Sequence, residues 1–223
     1  MNDKKNIVIV GSSGHAKVII DTAEKDGRYK VVGLLDKFKT MHDEVMGYQI
    51  LGNEEDMPKL VEKYQIQGVF VALGDNFIRS NVVSRVKEIT PSIEFVSIIH
   101  PSASVATSAK IKEGSVVMPG VSINPMSQVG SFCILNTNSS LDHDSSMLDF
   151  ASLAPNAVTG GNCQIGEYSA VGIGATLIHG VQIGSHSVIG AGSVVLNDIA
   201  SFVVAYGSPA KAVRQREKGD KYL

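Results

Sequence analysis

The triplet Asp142-His143-Asp144 places an imidazole between two carboxylates. Histidine titrates near neutrality, so it can take a proton from an attacking amine or hydroxyl and pass it on. A neighbouring carboxylate can orient the ring and stabilise the imidazolium that forms. Six histidines occur, His15, His42, His100, His143, His179 and His186, and only His143 has an acid on each side. A solvated corner could carry the same three residues, so their meaning depends on the element that holds them.

A second group of residues suits anion binding. Gly11-Ser12-Ser13-Gly14-His15 follows the apolar run Ile7 to Val10, and a glycine-rich turn opening a helix offers free N–H groups to a phosphate. The spacing is Gly-x-x-Gly, so the full dinucleotide fingerprint is absent. Asp36-Lys37 and Gly74-Asp75-Asn76 close later apolar runs.

The element behind the triplet is legible as a period of six. From Val105 an aliphatic residue returns at Ile111, Val117, Ile123, Val129, Leu135, Leu141, Met147 and Leu153. Thr159 interrupts it, and it resumes from Ile165 through Val171, Leu177, Ile183 and Ile189 to Val195. Four residues after each such position the chain is mostly small, as at Ser127, Cys133, Ser139, Ser145 and Ala151. One residue after it, Gly, Asn or Asp is frequent, and this column is expected to carry tight or left-handed turns. A helix would repeat near 3.6, so this period calls for short strands and corners stacked as a parallel β-helix. Three repeats per turn give a prism about 24 Å long from strands roughly 4.8 Å apart.

The first hundred residues alternate instead. Strands are expected over Asn6–Val10, Tyr29–Leu35, 68–74 and Glu94–Ile99, and helices over Ala16–Glu24, Met57–Tyr64 and Asn76–Glu88. Val18, Ile19 and Ala23 are expected on the buried face of the first helix. Such alternation argues a parallel Rossmann-like α/β sheet, with ligands beyond the C-terminal ends of its strands. The expected organisation is residues 1–100 as an α/β domain, 101–200 as the β-helix and 201–223 as a C-terminal tail.

Composition narrows the function classes. A formal net charge of −2 offers no basic face for nucleic acid, and no apolar run is long enough to cross a membrane. Two cysteines, Cys133 and Cys163, form no disulfide framework, both fall in the small column, and a reducing cytoplasm is expected.

Taken together, Gly-Ser-Ser-Gly-His-Ala-Lys (11–17), Leu-Asp-Lys (35–37), Ala-Leu-Gly-Asp-Asn-x-x-Arg (72–79), Leu135-Asn136-Thr137, the acid-His-acid triplet and Gly207-Ser-Pro-Ala-Lys211 resemble the NeuD/PglD-like sugar acetyltransferases. The resemblance covers nearly the whole chain. It implies a left-handed β-helix that assembles as a homotrimer, and acetyl-CoA as co-substrate bound between neighbouring subunits. It also implies transfer to the amino group of a nucleotide-linked 4-amino-sugar, with UDP favoured, in bacterial surface glycan synthesis. O-acetylation of sialic acid is the alternative, since both reactions need the same base and co-substrate.

Carried over residue by residue, the resemblance makes His143 the base and Asp144 its orienting acid, with Asp142 an alternative partner. Asn136, Gly161, Ile173 and Ala191 fall at acetyl-CoA positions, Gly161 as an N–H donor to the thioester oxygen. Gly14, His15, Asp36, Lys37, Gly74, Asn76 and Arg79 fall at nucleotide-sugar positions. A second histidine of some family members is Ser152 here, which removes that contact. No metal is expected. A zinc enzyme of the γ-carbonic-anhydrase type would need His143, His179 and His186 as ligands, with a neighbouring subunit closing the gap.

Overall fold

The computed structural model describes residues 4–221, which fall into two compact units. The first comprises the chain up to Gly74 with Ile78–Ile99, and the second Asp75–Phe77 with His100 onward.

In the first unit β1 (Lys5–Val10), α1 (Gly14–Asp26), β2 (Tyr29–Leu35), β3 (Glu44–Val45), β4 (Tyr48–Gly52), α2 (Met57–Tyr64), β5 (Gly68–Val71), α3 (Asn76–Ile89) and β6 (Glu94–Phe95) follow one another. The sheet order is β3-β4-β2-β1-β5-β6, parallel except for β3 against β4. Ile7 to Val10 and Val69 to Val71 are buried without alternation, as strands covered on both faces must be. The chain leaves β1 for β2 on one side and later returns to β5 on the other, which opens a crevice at the β1 end. The buried face of α1 is Ala16, Ile19, Ile20 and Ala23, at helical spacing, whereas Val18 is exposed. Gly27 ends α1 in the left-handed region (φ 78°), which only glycine enters freely. The β3–β4 hairpin lies in a stretch whose polarity signals only a loop. Its turn residues, Met46 and Gly47, both have positive φ, and a methionine there gives no sequence warning.

The second unit is a left-handed β-helix. Two-residue strands recur every six residues from Ser104–Val105 to Val194–Val195, and each pairs in parallel with the strand 18 residues on. The aliphatic column points inward, and from Val117 to Val195 every member is buried. The small column is buried too, and its serines have a second task. Ser115 Oγ donates to Gly130 O and accepts from Cys133 N–H, Ser145 Oγ links Gly160 O to Cys163 N–H, and Ser169 Oγ links Gly184 O to Ser187 N–H. Small side chains at the corners thus satisfy backbone groups that the short strands leave over.

The corners differ from expectation in one respect. From Ile111 to Ile189, positive φ recurs three residues after each inward position, at Gly114, Gly120, Met126, Phe132, Asn138, Asp144 and so on to Gly192, not one residue after. The glycines one residue after serve close approach instead. A Cβ on Gly160 would lie 2.6 Å from the His179 backbone N of the next coil. On one edge the left-handed positions carry a ladder of rings, Phe132, Phe150, Tyr168, His186 and Phe202, with centroids 4.6–5.1 Å apart. After the last coil, Val203–Gly207 and Ala210–Gln215 form an antiparallel hairpin whose first strand pairs with Val188–Ile189.

Leu135, fully buried in the inward column, tests this core. Leu135→Ala should lower unfolding free energy by about 2–5 kcal/mol, while Gln164→Ala on an exposed face should stay within about 0.5 kcal/mol. Chemical denaturation of the two variants reads the difference.

Candidate active site

His143 stands two residues past inward Leu141, at a corner, and 54% of its side chain is exposed. Asp144 follows in the left-handed conformation (φ 56°), which aspartate tolerates better than most residues. That conformation turns its carboxylate back onto the ring, and Asp144 Oδ2 lies 2.9 Å from His143 Nδ1. The hydrogen bond to Asp144 raises the His143 pKa above its ordinary value; burial opposes it, and the charges of Asp142 and Asp144 add smaller raising contributions.

Asp142 does not reach the ring. Its Oδ1 accepts from Asn124 Nδ2 at 2.6 Å and from His143 N–H at 2.8 Å, and these bonds, Asn124 first, hold its carboxyl below the usual range. The Asp142 carbonyl accepts from Ser127 Oγ at 2.6 Å, and its N–H donates to Thr159 Oγ1 at 3.0 Å. Asn124 and Thr159 were not foreseen as site residues. The repeat held the signal for Asn124, which lies 18 residues before Asp142, and Thr159 is the polar interruption of the inward column.

With Nδ1 engaged by Asp144, Nε2 is the open nitrogen of the ring. Gly161, one coil on at the same edge, is buried against it, and a Cβ there would collide with His143 Cε1 and Nε2. The Gly161 carbonyl accepts from Gly180 N–H at 2.9 Å, whereas its own N–H has no acceptor among the described residues. The His143 ring and the Gly161 backbone therefore stand side by side.

Asn136, Ile173 and Ala191 lie along a different edge of the prism, after strands Ile134–Leu135, Ala170–Val171 and Val188–Ile189. Asn136 Oδ1 accepts from Thr137 N–H at 2.8 Å, and Ile173 presents an apolar side chain that is 58% exposed. His179 shares the His143 edge. His186 does not: it is stacked between Tyr168 and Phe202, and the three histidines of a zinc reading are not brought together. Burial, and the charges of Lys218 and Arg216, lower the His186 pKa.

In the first unit the loops after β1 and β2 meet at the open crevice. Gly11 is the sterically required glycine, with φ 105° and a Cβ position 3.0 Å from Ala72 O, while Gly14 begins α1 in open space. Ser12, absent from the expected set, donates its hydroxyl to Asp36 Oδ2, and Asp36 Oδ1 accepts from Phe38 N–H at 2.8 Å. Lys37 is exposed. The His15 pKa is pushed down to about 4, by burial first and then by the charge of Arg79, so the ring is neutral near pH 7. Its Nε2 is buried without a hydrogen-bond partner.

Two expected substrate residues have another place. Arg79 is 1% exposed, and its Nη1 donates to the carbonyls of Leu73 (2.8 Å) and Gly74 (3.2 Å), so it braces the loop after β5. Asn76, also 1% exposed, belongs with the second unit, where its Nδ2 donates to Ser152 Oγ, Tyr168 O and Ser169 O at 3.2–3.3 Å. Both are buried and engaged by the protein itself. Ser152 is one of the acceptors.

A Rossmann-like unit followed by a hexapeptide prism with an acid-paired histidine on its edge defines a class of sugar acetyltransferase. The model of the PglD N-terminal domain matches residues 6–86, and that of the bacterial transferase hexapeptide (six repeats) matches residues 162–197. The chain belongs to the PglD-like, hexapeptide-repeat sugar N-acetyltransferase family. It is similar to perosamine N-acetyltransferase from Caulobacter crescentus, solved as a His-to-Asn variant with CoA and GDP-perosamine (35% identity, TM-score 0.89, covering 94% of this chain and 97% of that one). It is also similar to the acetyltransferase domain of PglB from Neisseria gonorrhoeae FA1090 in complex with acetyl coenzyme A (29% identity, TM-score 0.86, covering 95% and 100%). UDP-N-acetylbacillosamine N-acetyltransferase of Bacillus subtilis (strain 168) is 35% identical over 113 residues, 50% of each chain, so the match spans about half the length of that curated relative.

Because the hydrogen bond from Asp144 is the largest cause of the raised pKa, Asp144→Asn should bring the His143 titration down toward the ordinary histidine value. Asp142→Asn should shift it less. NMR titration of the imidazole carbons, with His143→Gln for assignment, measures both shifts.

Proposed function

We propose that the protein transfers the acetyl group of acetyl-CoA to the amino group of a nucleotide-linked amino sugar, with His143 as general base. The observation that carries this reading is the pairing of His143 Nδ1 with Asp144, which leaves Nε2 open beside Gly161, a glycine whose own N–H has no acceptor among the described residues. The relatives described above, crystallised with CoA and GDP-perosamine or with acetyl coenzyme A, support it.

In this mechanism the sugar amine attacks the thioester carbonyl as Nε2 removes the proton from the attacking nitrogen. Gly161 N–H donates to the oxygen as it becomes an oxyanion, and the Asp144 carboxylate balances the imidazolium. Collapse breaks the carbon–sulfur bond, and the imidazolium returns its proton to the departing CoA thiolate. The products are the N-acetylated sugar and free CoA, with His143 neutral again.

Asn136, Ile173 and Ala191 line the co-substrate's path in this proposal, Ile173 offering apolar surface to the pantetheine arm. They stand on a different prism edge from His143, so a neighbouring copy has to bring the two edges together, which supports a homotrimer with co-substrate between prisms. The N–H groups at the start of α1, with Gly14, His15, Asp36 and Lys37 around them, hold the nucleotide diphosphate and base. Gly74 bounds this crevice, braced by Arg79. Among the described residues no helix is long and apolar enough to cross a membrane. We place the reaction in the cytoplasm, where activated sugars for surface glycans are made.

Thiol release from acetyl-CoA, followed with a panel of UDP-, GDP- and dTDP-linked 4-amino sugars and with free sialic acid, tests the assignment. Acetylation of one amino sugar is expected, and acetylation of sialic acid alone would replace the reading with O-transfer. His143→Ala should lower kcat by about 10²- to 10⁴-fold without changing the oligomer's mass in light scattering. Undiminished turnover would remove His143 from the mechanism.

A further inference from the structure

Along the prism face that leads into the His143 edge, the residue just after each inward position gives a backbone rung to the next coil. Ala106 N–H donates to Ile123 O, Asn124 N–H to Leu141 O, Gly160 N–H to Leu177 O and Ile178 N–H to Val195 O, all at 2.8–3.0 Å. Between them the rung from Asp142 does not go to the carbonyl of Thr159. It goes to the Thr159 hydroxyl, at 3.0 Å, and the strand pairing there stops at Ser140 opposite Val158. On the other two faces the corresponding rungs run from N–H to carbonyl, as at Gly130 to Met147, Leu148 to Ile165, Asn136 to Leu153 and Gly172 to Ile189.

Thr159 is also the position where the inward column stops being aliphatic, and it is 7% exposed. Burying a hydroxyl in that column gives up apolar contact unless the hydroxyl is bonded. The partner it has is the peptide of Asp142, the residue whose carboxylate in turn accepts the His143 N–H. The break in the regular ladder thus falls at the peptide leading into the base.

We propose that Thr159 is a positioning residue for His143. Its hydroxyl takes the Asp142 N–H away from the regular ladder and sets the local backbone so that Asp142 meets the His143 N–H, Asp144 meets Nδ1, and Nε2 stands beside Gly161. Asn124 completes the arrangement from the preceding coil by holding Asp142 Oδ1. A valine at 159 has nearly the same shape, completes the apolar column and leaves Asp142 N–H free to bond the carbonyl as its counterparts do. The prism gains from that change while the base is turned from its working direction.

This inference rests on His143 being the base, and its test separates the two. Kinetics and thermal unfolding of Thr159→Val, Thr159→Ser and His143→Ala are compared on the full-length protein with acetyl-CoA and the amino sugar found above. Thr159→Val should keep or raise Tm, lower kcat about tenfold through misorientation, and leave KM for both substrates within twofold. Thr159→Ser keeps the hydroxyl and loses a buried methyl, so it should lower Tm yet hold kcat within threefold of the parent. Should the valine variant not accumulate as folded protein, Thr159→Ala removes the same hydroxyl and takes its place. An inactive His143→Ala with a fully active Thr159→Val overturns the positioning role alone. A loss of kcat that tracks Tm across the variants makes Thr159 merely structural and overturns it as well. An active His143→Ala takes down both the base and its support.

Discussion

The second unit depends on the stacking of coils in an unbroken 18-residue register. Each coil contributes three inward side chains and a set of backbone rungs on every face, and neither is available to a coil standing alone. The rungs demand that successive coils lie about 4.8 Å apart, and the buried column demands that they lie in phase. A glycine such as Gly160, whose Cβ would lie 2.6 Å from the backbone above, shows how little room that spacing leaves. No phase break occurs between Val105 and Val195, because a single inserted residue in a strand would turn an inward side chain out.

The same register builds the site. From Ile111 to Ile189 the residue three beyond each inward position is left-handed, and a side chain there turns back along the edge. On one edge this stacks Phe132, Phe150, Tyr168, His186 and Phe202. On the next it brings Asp144 against His143 and puts Gly161 directly over the ring. Glycine is needed at 161 because the space a Cβ would take is occupied by the imidazole. Asp142 is held at its carboxylate, its carbonyl and its N–H by Asn124, Ser127 and Thr159, so the peptide before His143 has little freedom left. The electrostatics follow from the geometry: one acid raises the pKa of the ring it touches, and the other, engaged by Asn124, stays ionised beside it.

The first unit solves a different problem with loops. Its parallel strands all end at one side of the sheet, and the turns after β1 and β2 meet there. Ser12 and the Phe38 N–H fix the Asp36 carboxylate, and Arg79 braces the carbonyls of the loop after β5. A buried guanidinium with carbonyl partners holds the shape of that loop. His15 is neutral at physiological pH in this setting, so its ring offers hydrogen bonds and not charge.

The amino-acid sequence by itself determined the prism and the sheet, because both are written in periodicity. The return of an aliphatic residue every six positions, and the alternation of short apolar runs with helical faces, are one-dimensional signals of burial. It also singled out His143, Asp144 and the glycine turn, whose residue types announce their chemistry. Tertiary structure decided what touches what. That Asp144 and not Asp142 bonds the ring depends on a backbone dihedral, and that Asn76 and Arg79 are buried supports depends on what packs over them. The left-handed position lies three residues after the inward one, where residues as unlike as methionine and phenylalanine accept it, so composition could not locate it. Thr159 marks the boundary best: its place in the column was visible as an irregularity, but its meaning lies in a hydrogen bond to a residue 17 positions earlier in the chain and one coil away in space.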